Sequence, residues 1–195
     1  METKKIVIIA VGGQGNLLSS RLLGEAALSK KMPFVISEIH GMAQRGGIVE
    51  SAVLLGDVSS PIVSAGESDV FLGFEPLETL RGLGKCTRKT VVITNTTPLP
   101  PFTVAVGQGS YPPVDEILDQ LRARIDRVIA FDGTALAAEA GNPLSLNMVM
   151  LGALIGSETI PLGGEDVKNA ISTSTKKAFL DSNLKAFDLG VAAVR

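Results

Sequence analysis

The sequence predicts a three-layer α/β/α domain on a mixed, mostly parallel sheet, with a helical C-terminal third and a single domain over residues 1–195. Three observations carry this prediction. Short apolar runs rich in β-branched residues, among them Lys5-Ile6-Val7-Ile8-Ile9-Ala10-Val11 and Thr90-Val91-Val92-Ile93-Thr94, read as strands buried on both faces. Helical patterns alternate with them, as in α/β folds. A glycine-bounded return ending at Gly47 joins two strands in hairpin fashion and makes the sheet mixed.

The run after Lys5 is the first strand, and Gly12-Gly13-Gln14-Gly15-Asn16 is its turn. Leu17 to Ser29 follows as a helix, with Leu18, Leu22 and Ala26 recurring every four residues and Arg21 and Glu25 on a polar face. Pro33 to Ser37 reads as a second strand ending at Glu38. Gly41 to Gly47 is a loop carrying Met42, Gln44 and Arg45, and Ile48 to Leu55 is the returning strand. Asp57 to Ser68 is a connection. Asp69 to Phe74 is a buried strand, and Glu75-Pro76 opens a helix to about Leu83, since proline is tolerated in a first helical turn.

After the Thr90 strand, Asn95 to Pro101 is stiff and extended. Phe102 to Val106 is expected as a short edge strand, and Gly107 to Pro113 as a turn-rich loop. Val114 to Arg124 is an amphipathic helix, and Arg127 to Asp132 the last strand. Helices are expected over Thr134 to Ala140, closed by Gly141, then over Pro143 to Ile155, Gly164 to Ile171 and Leu184 to Val194.

Bulk properties remove several function classes. At 195 residues with 45% hydrophobic and 19% charged residues, the chain is long enough to bury a core and unsuited to global disorder. A net charge of −2, one Tyr, seven Phe and no Trp make nucleic acid a poor partner. The single cysteine, Cys86, forbids an internal disulfide and cannot hold an iron–sulfur cluster, which takes four thiolates. The single histidine, His40, removes most zinc constellations. No apolar stretch approaches the roughly 20 residues that cross a bilayer. The expected setting is cytoplasmic, away from membranes.

A strand, a glycine turn and a helix together aim unpaired N–H groups and a positive dipole end at one spot, which stabilises a phosphate or carboxylate there. The turn matches a dinucleotide fingerprint only in part, because the third glycine position is Leu18. No Gly-Lys-Ser/Thr follows it, so it is not a P-loop. A plainer reading is that the glycines only supply a tight turn and close helix packing. Glu38, about 20 positions on, stands where a dinucleotide fold places its ribose acceptor. The loop after it argues against that fold, because a Rossmann unit turns promptly into another helix.

Three segments together, Gly12-Gly13-Gln14-Gly15, then Glu38-Ile39-His40-Gly41-Met42-Ala43-Gln44-Arg45-Gly46-Gly47, then Asn147-Met148-Val149-Met150-Leu151-Gly152-Ala153, resemble the gamma-type domain of 2-oxoacid:ferredoxin oxidoreductases, in particular the small beta subunit of the indolepyruvate enzymes. The resemblance covers nearly the whole chain, and the middle motif is its specific part. Ala10 departs from the first glycine that many relatives carry.

The resemblance implies a part in CoA-dependent oxidative decarboxylation of a 2-oxoacid such as an aryl pyruvate, with electrons passing to ferredoxin. Thiamine diphosphate, Mg²⁺ and 4Fe-4S clusters are expected on a larger partner subunit, because this chain has no Gly-Asp-Gly with a downstream Asn and only one cysteine. The resemblance implies a coenzyme A or cofactor-facing site at Gly12, Gly13, Gln14, Gly15, Asn16 and Asn147, with the alternative that the Gly12 to Asn16 turn faces only the partner subunit. It places Gly41, Met42, Gln44, Arg45, Gly46 and Gly47 at the partner interface.

Glu38 and Arg45 are expected to pair and brace that loop. His40 is an acid–base candidate or a hydrogen-bonded structural residue. Asn147 ties a backbone group or faces a ligand, and Met42 packs at an interface or fills core space. Cys86, beside Lys85 and Arg88, has a lowered pKa if exposed. Two rival functions remain: a stand-alone nucleotide- or flavin-binding Rossmann-like module, and a purely architectural subunit.

Overall fold

The structure is a computed structural model and describes residues 3–40, 47–58, 60–101, 104 and 106–195. Six strands form one sheet: β1 (Lys4–Val11), β2 (Phe34–His40), β3 (Ile48–Leu55), β4 (Ser68–Gly73), β5 (Cys86–Asn95) and β6 (Arg127–Phe131). Their order is β2-β3-β1-β4-β5-β6. β1, β4, β5 and β6 run parallel, whereas β3 pairs antiparallel with both β1 and β2. The Gly47 return therefore inserts β3 between β1 and β2 and makes the sheet mixed.

Among the described residues seven α-helices cover the sheet: α1 (Asn16–Ser29), α2 (Pro76–Arg81), α3 (Val114–Arg124), α4 (Gly133–Glu139), α5 (Leu146–Gly156), α6 (Gly164–Ser174) and α7 (Leu180–Ala192). The period-2 alternation of β1 splits the core. Ile6, Ile8 and Ala10 pack against α1 and α4 to α7, while Val7 and Ile9 pack against α2 and α3. α5 is buried on every side, as its composition, apolar at every position but Asn147, requires. Among the described residues no helix is long and apolar enough to cross a membrane.

Elements with clear periodicity fall where their residues place them, and the differences have local causes. β2 continues to His40 because its last residues pair with Glu50 and Val49 of β3. β5 begins at Cys86 rather than Thr90, since Ser68 of β4 supplies a parallel partner there. α7 starts a turn early, at Leu180. The expected edge strand at 102–106 is not part of the sheet at its described residues: Val104 is helical, and its N–H donates to the Pro101 carbonyl at 2.9 Å. Three prolines in the preceding segment turn the chain away from the ladder.

Candidate functional site

After β1 the chain crosses to α1 on one face, and after β4 it crosses to α2 on the other. The carboxyl ends of β1 and β4 therefore form a topological switch point, the place where open α/β sheets bind ligands. Gln14 spans it. Its Oε1 accepts from Val11 N at 2.8 Å and its Nε2 donates to Phe74 O at 3.1 Å, so the turn is pinned to both strand ends. The N–H of Gly12 donates to the Gly47 carbonyl at 2.8 Å, which joins the first glycine turn to the end of the second glycine motif.

Gly15 is the N-cap of α1, in the left-handed region with φ 87°, where a side chain is strained. It supplies no side-chain cap, and the first turn holds no acidic residue. The N–H groups of Asn16, Leu17 and Leu18 find no acceptor among the described residues, so the helix presents a positive end. The Asn16 side chain faces inward instead, donating to Val49 O at 3.2 Å and Ser51 Oγ at 3.3 Å. Gln14 and Asn16 thus shape the turn through their side chains, and only backbone is left to meet a ligand.

Asn147, from the first turn of α5, packs directly on Gly15: a Cβ added there would lie 2.9 Å from Asn147 Nδ2 and 3.0 Å from its Cγ. Asn147 is only 5% exposed, yet its carboxamide makes no hydrogen bond with any described residue. It ties no backbone group among the described residues. It lines a cleft of about 290 Å³ together with Leu18, Leu144, Met148, Lys176 and Phe179. Behind it, Ser145 Oγ donates to Asn183 Oδ1 at 2.7 Å, and Asn183 Nδ2 reaches Thr175 Oγ1 at 3.4 Å.

On the opposite side of the switch point, Glu75 is buried. It accepts from Glu78 N at 2.8 Å and Leu99 N at 3.2 Å, and from the Tyr111 hydroxyl. Burial, followed by the hydrogen bond to Glu75, pushes the Tyr111 phenol above its ordinary range. Asn95 locks the ends of β4, β5 and α4 by donating to Phe74 O at 3.1 Å and accepting from Gly133 N at 2.9 Å. Glu78 is buried beside them with one oxygen unpartnered; burial raises its pKa, opposed by Arg81.

The remaining sequence candidates divide clearly. Glu38 accepts from Ser20 Oγ at 3.4 Å. Its strand lies two places from β1, about 9–10 Å away, so it is not where a dinucleotide fold puts a ribose acceptor. Gly41, Met42, Gln44, Arg45 and Gly46 lie outside the described residues, and the Glu38–Arg45 pair with them. His40 ends β2 opposite Val49; its side chain is also outside the described set. Cys86 is not exposed, so the condition for a lowered pKa is not met, and burial pushes its thiol up to about 11 against the hydrogen bonds from Ser68 and Thr90. Among the described residues no group of three or more His, Cys, Asp or Glu side chains is arranged to hold a metal.

Glu75, Asn95, Tyr111 and the Ser145–Asn183 pair were not singled out by the sequence. The one local signal was Glu75-Pro76 at a strand end; the rest depends on contacts between distant segments.

Comparison with known proteins agrees with this architecture. The chain is 43% identical over 188 residues to the indolepyruvate oxidoreductase subunit IorB of Methanothermobacter thermautotrophicus, covering 96% of each chain. It superposes on the gamma subunit of keto/oxoacid ferredoxin oxidoreductase from Geobacter sulfurreducens with a TM-score of 0.71 at 22% identity, covering 98% of each. It also superposes, with a TM-score of 0.72 at 22% identity, on 31% of a longer chain: the 2-oxoglutarate:ferredoxin oxidoreductase of Magnetococcus marinus with 2-oxoglutarate, coenzyme A and succinyl-CoA bound. All of this chain is covered by that match. Residues 5–193 match the family model for pyruvate ferredoxin/flavodoxin oxidoreductase, and the chain belongs to that family of oxidoreductase subunits.

Proposed function

We propose that this chain is the small subunit of an indolepyruvate or other aryl-pyruvate ferredoxin oxidoreductase. It works with a larger subunit that holds thiamine diphosphate, Mg²⁺ and 4Fe-4S clusters, and with coenzyme A as co-substrate. The observation that carries the substrate class is the 43% identity to the Methanothermobacter subunit over almost the full length of both chains. The residues here do not fit the cluster, which takes four thiolates where the chain has one cysteine, and the chain lacks the Gly-Asp-Gly with a downstream Asn that would hold the thiamine metal. The electron chemistry accordingly belongs to the partner.

This chain's contribution is a rigid edge. Gln14 fixes the turn, the free N–H groups at the start of α1 offer positive potential to a coenzyme A phosphate, and Asn147 stands beside them. The Gly47 carbonyl, held by the Gly12 N–H, ties this turn to the motif that is assigned to the partner interface by resemblance. The test is to purify the chain with its larger subunit and measure CoA-dependent ferredoxin reduction by indolepyruvate against pyruvate and 2-oxoglutarate. Preference for indolepyruvate by the complex alone supports the reading. Turnover by the isolated chain, or a complex that ignores aryl pyruvates, refutes it.

A further inference from the structure

We propose that β2 is the seam of a two-fold dimer of this chain. β2 of one copy pairs antiparallel with β2 of a second, about an axis through Ser37, and the two α1 helices pack side by side over the junction.

β2 ends the sheet on its side, with β3 as its strand neighbour. Gly56 N donates to Pro33 O at 2.8 Å, and in an antiparallel ladder every second residue faces the neighbour. The main-chain groups of Val35, Ser37 and Ile39 therefore serve β3, and those of Phe34, Ile36, Glu38 and His40 point outward. Soluble proteins blunt such an edge with lysine, proline or a bulge. The seven residues of β2 contain no lysine or proline, and their pairing with β3 runs without a register shift. Two exposed apolar side chains flank the edge: Ile39, 61% exposed, on the strand and Leu28, 67%, on α1.

The symmetry of the strand selects its partner. A pair centred on Ser37 uses all seven residues of both copies. It sets Val35 against Ile39 of the second copy and Ser37 against its own counterpart. The outward-facing residues then exchange main-chain hydrogen bonds, Phe34 with His40 and Ile36 with Glu38. Moving the axis to Ile36 or Glu38 leaves two residues of each strand unpaired.

α1 carries the same symmetry. Leu17, Arg21, Gly24 and Leu28 form one stripe of the helix, and the last three line a groove of about 290 Å³ with Phe34 and Ile36. Antiparallel to a copy of itself, the stripe matches Leu17 with Leu28 and Arg21 with Gly24, in both directions. Each Arg21, paired with Glu25 of its own chain at 2.8 Å, then also reaches Glu25 of the second copy. The centre of that match, between Leu22 and Leu23, is level with Ser37. Ser20 Oγ donates to Glu38 Oε1 at 3.4 Å, and a Cβ on Gly24 would lie 2.8 Å from both Phe34 Cε2 and Ile36 Cδ1. Strand and helix thus require the same axis.

Spacing agrees. α1 lies over β2 and β3, about half a strand spacing inside β2, so helices related by the axis stand two spacings, roughly 10 Å, apart. Packed helices lie about 8–10 Å apart. A contact of this kind is isologous and closes at two copies.

The experiment places one cysteine on the axis. In a Cys86→Ser background, Ser37→Cys gives up one exposed hydrogen bond to the Pro61 carbonyl and sets two thiols in a non-hydrogen-bonded antiparallel pair. Their Cα atoms would be about 4.5 Å apart, within the span of a disulfide. Val35→Cys, whose two copies would stand about 13 Å apart, is the control. Mild oxidation of the full chain, alone and in complex with its larger subunit, should cross-link Ser37→Cys and not Val35→Cys. In sedimentation the wild-type chain should be a dimer, and Leu28→Glu with Ile39→Lys should raise the dimer Kd at least tenfold at an unaltered circular dichroism spectrum. A monomeric wild type without the Ser37 cross-link, or equal cross-linking at both positions, overturns the inference. A one-to-one complex from which the two edge substitutions release the larger subunit gives the edge to that subunit and overturns it as well.

Discussion

Gly15→Ala tests the contact on which the candidate site is built. Two strains arise from it. An alanine held at φ 87° costs about 1–2 kcal/mol. Its Cβ would also stand 2.9 Å from Asn147 Nδ2, 3.0 Å from Cγ and 3.2 Å from Cβ, so the carboxamide must leave its rotamer at about 0.5–1.5 kcal/mol. Gly13→Ala isolates the first strain, because Gly13 has φ 106° but nothing within 4 Å of the added Cβ. The difference between the two variants is therefore the Asn147 contact. With each kcal/mol worth about 2–4 °C for a chain of this size, Gly15→Ala should melt roughly 1–6 °C below Gly13→Ala. Asn147→Ala loses no hydrogen bond to a described residue and should by itself cost little. The double variant Gly15→Ala with Asn147→Ala should recover about 0.5–1.5 kcal/mol as a coupling energy in thermal unfolding. Equal melting of the two glycine variants, with zero coupling, would show that Asn147 does not pack on the turn.

Gly152→Ala and Gly190→Ala should each destabilise by about 3 kcal/mol or more, because the added Cβ would lie 2.0 Å from a backbone carbonyl across the α5–α7 contact; near-native denaturation midpoints would contradict the packing. Glu78→Gln should change the pH profile. Burial raises the folded-state pKa of Glu78 above the ordinary carboxylate range, so its stabilisation is complete below that range and is lost as pH rises through the folded value. The glutamine variant lacks this loss, and its stability relative to wild type should be higher at pH 7 than at pH 4. Tyr111→Phe removes a hydroxyl donor from buried Glu75, with an expected cost of about 1–2 kcal/mol and faster proteolysis near Gly107 to Ser110, read by mass spectrometry of the fragments.

The layered architecture was legible because β1 is a continuous apolar run, β3 alternates in part and α3 is amphipathic, and because the Gly47 return announced the antiparallel strand. The glycine turn and Asn147 were legible only as separate motifs. Nothing local shows that one packs on the other, since the contact is made by α5 crossing behind α1. Gln14 and Asn16 read as ligand-facing because they sit in a phosphate-type turn. Their side chains instead satisfy buried carbonyls, which a sequence cannot reveal without the sheet order. That order, with β3 between β1 and β2, also explains why Glu38 mimicked a ribose acceptor: its spacing from the glycines is right and its strand is one place too far out. Val104, expected in an edge strand, is helical instead, after three prolines that cannot donate to a ladder.

The two halves of the site come from opposite ends of synthesis. Gly15 emerges early in translation, whereas the floor that Asn147 and Asn183 provide is complete only once α7 has folded back on α5 through Gly152 and Gly190. A polypeptide that lacks α7 therefore lacks the backing on which α5 presents Asn147 to Gly15, and the turn is left without its lid of side chains.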